Sequence, residues 1–93
     1  MIVSGSDLGV RRRRALWRAT HRGTKEMDFL LGRFAKQTVD GMGAAEIAVL
    51  ERLIECPDPE IEFSLYEGHS LGAPDLDELM MRLRRFHGLS EAG

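Results

Sequence analysis

One cysteine, Cys56, is all the thiol that the 93 residues contain. That excludes an intramolecular disulfide and a metal knuckle built from several cysteines, and it fits a reducing compartment. Aromatic residues make up only 6% of the chain, so a core has to come from Leu, Ile, Met, Ala and Val. No apolar run approaches the roughly 18–20 residues that a bilayer span needs, so membrane insertion is not expected. The N-terminus has no apolar segment of the secretory kind. Arg11 to Arg14 has the basic character of a mitochondrial presequence but runs directly into a patterned helix, so it is read as mature protein. Alternating apolar and polar residues are missing as well, and with them the signature of a half-buried strand. A glycine-rich phosphate loop and His-Glu-x-x-His are absent.

What is present suits one small domain: 43% hydrophobic and 30% charged residues, with a net charge of −2. The mean hides an asymmetry. Residues 1–36 carry nine Lys/Arg against three acids, or +6, whereas residues 37–93 carry four against twelve, or −8. Such a chain either pairs its halves internally or shows different faces to different partners.

Helical periods and their breakers predict five helices. Residues 1–9 read as a flexible tail with Ser6 or Asp7 capping the first helix, residues 10–88 as a single helical domain and residues 89–93 as a frayed end. The first helix, from Val10 to His21, has a narrow apolar stripe in which Leu16, Trp17 and Thr20 share one side with Val10 and Arg13 nearby, and Gly23 stops it. Thr24 caps the second, in which Met27, Leu30, Leu31, Phe34 and Thr38 follow i, i+3, i+4, i+7, i+11. Asp40-Gly41-Met42-Gly43 is a turn. Ala44 to Cys56 is the third helix, with Ile47, Leu50 and Ile54 on one side, ended by Pro57. Asp58 as N-cap with Pro59 behind it starts the fourth, whose apolar contacts are Ile61, Leu65 and Phe63 or Tyr66, and Gly68 ends it. Pro74 and Asp75 open the fifth, in which Leu76, Leu79, Met80, Leu83 and Phe86 keep the period. The expected fold is all-α: a compact five-helix bundle in a single domain.

No catalytic or metal-binding set emerges. His21, His69 and His87 lie on different elements without ligand spacing and read as exposed or helix-terminal. Cys56 reads as a small core residue whose acidic neighbours Glu55 and Asp58 do not favour a thiolate. Arg11 to Arg14, followed by Trp17, is a basic patch with an aromatic, but the acidic remainder of the chain disfavours nucleic acid as a partner.

The densest juxtaposition is Arg22-Gly23-Thr24-Lys25-Glu26-Met27-Asp28, a glycine pivot between two helices with a cation before it and two carboxylates after it. It reads in two ways. As a helix joint, Gly23 takes positive φ, and Glu26 and Asp28 sit at the positive end of the next helix. As a surface, Gly23 lets a partner backbone come close between a donor, Arg22, and an acceptor, Glu26.

Arg22-Gly23-Thr24-Lys25-Glu26 matches Arg-Gly-x-x-Glu, the mark of the succinate dehydrogenase flavinylation factors (SdhE/YgfY type), which this chain resembles. The resemblance extends over Asp28, Leu30-Leu31-Gly32-Arg33-Phe34, Arg52-Leu53-Ile54-Glu55-Cys56-Pro57-Asp58-Pro59 and Met80-Met81-Arg82-Leu83, in order across most of residues 12–86. Departures are His21 for a frequent second arginine, Ser64 for a frequent tryptophan, and extra glycine in the second loop. Members have a similar helical fold. The resemblance implies an assembly factor, not an enzyme, that binds the flavoprotein subunit of succinate dehydrogenase or fumarate reductase and promotes covalent FAD attachment. FAD is then the partner's cofactor, and none of its own is implied. The implied partner-binding residues are Arg22, Gly23, Glu26 and Asp28, with Asp58 and Pro59 in the second shared block. Some members are described as antitoxin-like, which would make this a toxin-binding module instead. The implied location is the bacterial cytoplasm, or the mitochondrial matrix in a eukaryote.

Overall fold

Two glycine-bearing turns, a proline corner and a polar loop divide the chain into five α-helices. The structure, a computed structural model, describes residues 4–89. In order, α1 is Ser4–Thr20, α2 is Lys25–Thr38, α3 is Ala44–Glu55, α4 is Asp58–Glu67 and α5 is Pro74–Phe86, with a 3₁₀ turn at Val39–Gly41. No strand occurs among the described residues. The expected all-α five-helix bundle is the observed one.

The helix signals act where their chemistry requires. The Thr24 side chain accepts the Met27 amide at 3.2 Å, relieving one unpaired N–H of the first turn of α2. Pro57 forces Cys56 into extended backbone with ψ 144°, which ends α3. Pro74 fills the first position of α5, where its missing N–H costs nothing.

α2 lies at the centre of the core, burying Met27, Leu30, Leu31, Phe34 and Ala35. Ile47, Leu50, Leu53 and Ile54 of α3, Ile61 and Leu65 of α4, and Leu76, Leu79, Met80 and Leu83 of α5 close around it. Each such large side chain contributes about 1.5–3 kcal/mol when fully buried.

α1 docks differently from the amphipathic stripe expected of it. Its fully buried residues are Ala15 and Ala19, while Trp17 is 61% exposed and Val10 also faces outward. Small residues let α1 and α2 approach closely. Gly32 completes the seam: a Cβ there would lie 2.8 Å from Thr20 Cγ2. Thr20 cannot easily turn away, because its hydroxyl donates to the carbonyls of Leu16 and Trp17, 3.0 Å from each. Val10 and Trp17 therefore face outward, while Leu8 and Leu16 pack partly against the core.

Four further expectations are corrected. Helix α1 begins at Ser4, so residues 4–9 are not a tail. Gly5 and Gly9 disfavour helix by about 1 kcal/mol each, but Leu8 packs partly against the core and opposes that. Leu89 is not frayed: it packs on the core, and its amide donates to the Arg84 carbonyl at 2.7 Å. The remaining residues assigned to a tail or frayed end, 1–3 and 90–93, lie outside the described residues. Pro57, not Asp58, occupies the N-cap of α4, and Phe63 and Tyr66 are exposed instead of joining Ile61 and Leu65 in the core.

The two oppositely charged halves pair internally. Arg11 meets Glu51 at 2.8 Å, Arg18 meets Glu55 at 2.7 Å and Arg22 meets Asp58 at 2.6 Å. These contacts run in the same order along α1 and along α3 into α4. Arg12 donates to the Met42 carbonyl at 2.7 and 3.1 Å. Of the arginine run, Arg13 and Arg14 are exposed.

Candidate partner-docking surface at the first turn

The turn between α1 and α2 depends on Gly23, whose φ of +117° is a conformation L side chains rarely adopt. Nothing lies within 4 Å of where a Cβ would be, so the glycine serves the backbone and leaves open space above it. Asp28 secures the turn from the other side by accepting the Arg22 amide at 2.6 Å.

Arg22 points inward. Its side chain is 10% exposed and each nitrogen of its guanidinium is bonded within the chain. Nε donates to Asp58 Oδ1 at 2.7 Å, Nη1 to the Ile54 carbonyl at 2.8 Å and Nη2 to the Cys56 carbonyl at 2.8 Å. The carbonyls close the negative end of α3, and Asp58 stands in the first turn of α4. A planar fork can serve all three acceptors at once, which a lysine ammonium on a flexible stem cannot reproduce. Arg22 thus clamps the α3–α4 corner beneath the turn.

Glu26 points outward from the first turn of α2 and accepts the Tyr66 hydroxyl at 2.6 Å, joining α2 to α4. That hydrogen bond, with some burial and the neighbouring Glu26 and Glu62 charges, pushes the Tyr66 phenol up to about 12. Of the six residues singled out from the sequence, Gly23, Glu26 and Pro59 are exposed, whereas Arg22, Asp28 and Asp58 are partly buried and bonded to the scaffold. All six gather around one turn and one helix start. Arg22 contacts both Asp28 and Asp58, and Glu26 lies one hydrogen bond from α4.

The sequence reading offered Tyr66 only as a possible core contact and missed its place at the surface. Its signal was available: Pro59, Phe63 and Tyr66 repeat at i, i+4, i+7, a stripe offset from the buried Ile61 and Leu65. In the structure that stripe lines a shallow groove with Glu60, Glu62 and Glu67.

Outside this region the titratable residues are dispersed. His21 stacks on Trp17 with centroids 4.1 Å apart, His69 on Phe63 at 4.3 Å, and the His87 Nε2–H donates to the Leu30 carbonyl at 2.7 Å. No cluster able to hold a metal ion occurs among the described residues. Burial, opposed by Arg22 and Arg52 but reinforced by Glu60, pushes the Cys56 thiol up and away from thiolate chemistry. No helix among the described residues is long and apolar enough to cross a membrane.

The chain is similar to an FAD assembly factor SdhE of Acetobacter pasteurianus, 46% identical over 59 residues, which cover 63% of this chain and 54% of the relative. It is 40% identical over 58 residues to an FAD assembly factor SdhE of Idiomarina loihiensis, covering 62% of each. It is 33% identical over 60 residues to the mitochondrial succinate dehydrogenase assembly factor 2 of Debaryomyces hansenii, covering 64% of this chain and 42% of that one. The chain spans about half the length of the curated relatives it matches. No solved structure matches it significantly. The family Sdh5, flavinator of succinate dehydrogenase, matches residues 13–87, a span that takes in the turn, its Arg22 clamp and the Tyr66 bridge; the chain belongs to that family.

Proposed function

We propose that this chain is an assembly factor that docks on the flavoprotein subunit of succinate dehydrogenase, or of fumarate reductase, and promotes covalent FAD attachment there. The observation that carries the reading is an exposed glycine turn with open space above it, held rigidly from below, in a chain of the flavinator family. Gly23 admits a partner backbone. Glu26 presents a carboxylate whose remaining lone pairs can accept hydrogen bonds from the partner. Arg22, Asp28 and Asp58 are positioning residues that fix the turn against α4, and Pro59 forms its outer edge. Preorganisation of this kind raises affinity by reducing what must be ordered on binding.

FAD itself suits this surface poorly. The charges around the turn and along α4 are mostly acidic, with Glu26, Glu60, Glu62 and Glu67 against the exposed Lys25, which disfavours a pyrophosphate, and Arg22 is committed to acceptors within the chain. This supports reading FAD as the partner's cofactor and the covalent chemistry as the flavoprotein's own. The factor then acts by binding the flavinylation-competent conformation of the flavoprotein more tightly than the alternatives, which shifts its population. The bacterial and mitochondrial relatives agree with a place in the bacterial cytoplasm or, in a eukaryote, the mitochondrial matrix.

The test is covalent flavin fluorescence on the denatured flavoprotein subunit in cells lacking any flavinylation factor. Supplying this chain should restore the fluorescence. Gly23→Arg or Glu26→Ala should abolish the restoration while leaving helicity nearly intact. Fluorescence that is equally strong without the chain, or with both variants, overturns the proposal.

A further inference from the structure

Five of the fifteen acids form an ion pair among the described residues. Glu51, Glu55, Asp58, Asp75 and Glu46 pair with Arg11, Arg18, Arg22, Arg52 and Arg82. Glu60, Glu62 and Glu67 of α4 form no ion pair among the described residues. Glu67 is the last residue of α4, at the negative end of the helix, and no basic residue accompanies it in that turn. A carboxylate there slightly destabilises the helix, and no ion pair among the described residues compensates it.

Between these acids stand two exposed aromatics, Phe63 at 49% and Tyr66 at 47% exposure. Neither is loose. The Tyr66 hydroxyl is bonded to Glu26, and the Phe63 ring stacks on His69 at 4.3 Å with 24° between planes. Restrained aromatics inside a polar rim are the usual anchors of protein interfaces, because their apolar area is buried with little loss of rotamer freedom. The groove they line has four acids at its edges if Glu26 is counted, and none of its lining residues is a cation.

We propose that this α4 face is a second contact of the docking surface, and that it takes an apolar segment of the partner flavoprotein flanked by lysine or arginine side chains. The occupant is set by charge complementarity and by continuity: the Tyr66–Glu26 bond sets the face edge to edge with the Gly23 turn. The inference rests on the flavoprotein-binding reading and adds the chemistry of the partner's side. Phe63 and Tyr66 supply apolar area. The acidic rim speeds encounter and selects a basic edge, so binding should weaken with salt.

The experiment is titration calorimetry of the purified full chain with the purified flavoprotein subunit at low and high salt. Three variants are compared with the unmodified chain: Phe63→Ala, the triple change Glu60→Gln, Glu62→Gln and Glu67→Gln, and Gly23→Arg. All the α4 positions altered are at the surface, and circular dichroism melts check that folding is unchanged. Phe63→Ala should weaken binding about tenfold or more at either salt concentration. The triple variant should weaken it chiefly at low salt and flatten the salt dependence. Native affinity and salt dependence in both α4 variants, with binding lost in Gly23→Arg, overturns this inference and leaves the turn as the contact. Failure of the unmodified chain to bind overturns the functional reading, and this inference with it.

Discussion

The arginines of α1 and of the turn after it and the glutamates of α4 are both runs of one charge, yet most of the first find partners and the second form no ion pair among the described residues. Arg11, Arg12, Arg18 and Arg22 each end on an oxygen of α3, of the loop before it or of the α3–α4 corner. Glu60, Glu62 and Glu67 end on no cation among the described residues. Half of the conspicuous Arg11–Arg14 run is thus scaffold, and the less conspicuous acidic helix is left facing outward. A charge count cannot tell these apart, because what matters is whether packing delivers a partner to each charge. Burial separates the members of the basic row as well. The exposed Arg18–Glu55 pair is of the kind worth well under about 1 kcal/mol, whereas the Arg22 fork holds two helices together.

The hardest blow to this contrast is Arg22→Ala. It strips Asp58 and the carbonyls of Ile54 and Cys56 of their donors, and should lower unfolding free energy by about 3 kcal/mol in urea titrations. Arg22→Lys should recover only part of that, since one ammonium cannot span the three acceptors. An Arg22→Ala protein as stable as the native one would move Arg22 from scaffold to surface.

Next is the seam that brings α1 within reach of its acceptors. Gly32→Ala drives a methyl into Thr20 and should cost about 1–3 kcal/mol. Thr20→Ser removes the obstructing Cγ2 while keeping the hydroxyl, so the double variant should regain most of the loss in the same titrations.

A smaller effect concerns acid. The hydrogen bond to Arg11 holds the Glu51 carboxyl below its ordinary 4.5, against the opposing effect of burial. Because the folded value is depressed, the stabilisation is complete above about pH 4.5 and is lost as pH falls through the lower folded value. Asp75, held down by Arg52, behaves alike below 3.8. Glu51→Gln should therefore make unfolding free energy fall less steeply with acid, while neutral-pH helicity stays the same.

The smallest perturbation reads the recognition side directly. Tyr66 is the only tyrosine, so phenolate absorbance reports it alone. It should titrate at about 12 in the native protein and move toward 10.0 in Glu26→Gln. The sign agrees with the bond: protonated phenol donates to Glu26, so this contact is intact below 10.0 and is lost as pH rises through about 12. An unchanged midpoint in Glu26→Gln would mean that the bridge does not persist in solution.

Much of the architecture was legible because its determinants are local. Thr24 caps α2 through a hydroxyl three residues from the amide it accepts, Gly23 turns the chain through its own φ, and Pro57 acts on its immediate neighbour. The 3.6-residue period of Met27, Leu30, Leu31 and Phe34 likewise needs nothing beyond the helix to declare a buried face. The start of α1 was less legible, because a tertiary contact of Leu8 opposes the unfavourable propensity of Gly5 and Gly9.

For the Arg22–Asp28 stretch the division is sharper. That a cation, a flexible backbone position and two carboxylates stand together was determined by sequence alone, along with the turn they form. Which of them faces a partner was decided only by the tertiary structure. The acceptors of Arg22 lie 32 to 36 residues away, and the donor to Glu26 lies 40 away. A short-range cap or turn is chosen by bonds within a few residues, whereas a long side chain goes where distant packing has placed the oxygens and hydroxyls that satisfy it. Packing placed three oxygens beneath Arg22 and drew it inward, and it left Gly23 and Glu26 at the surface.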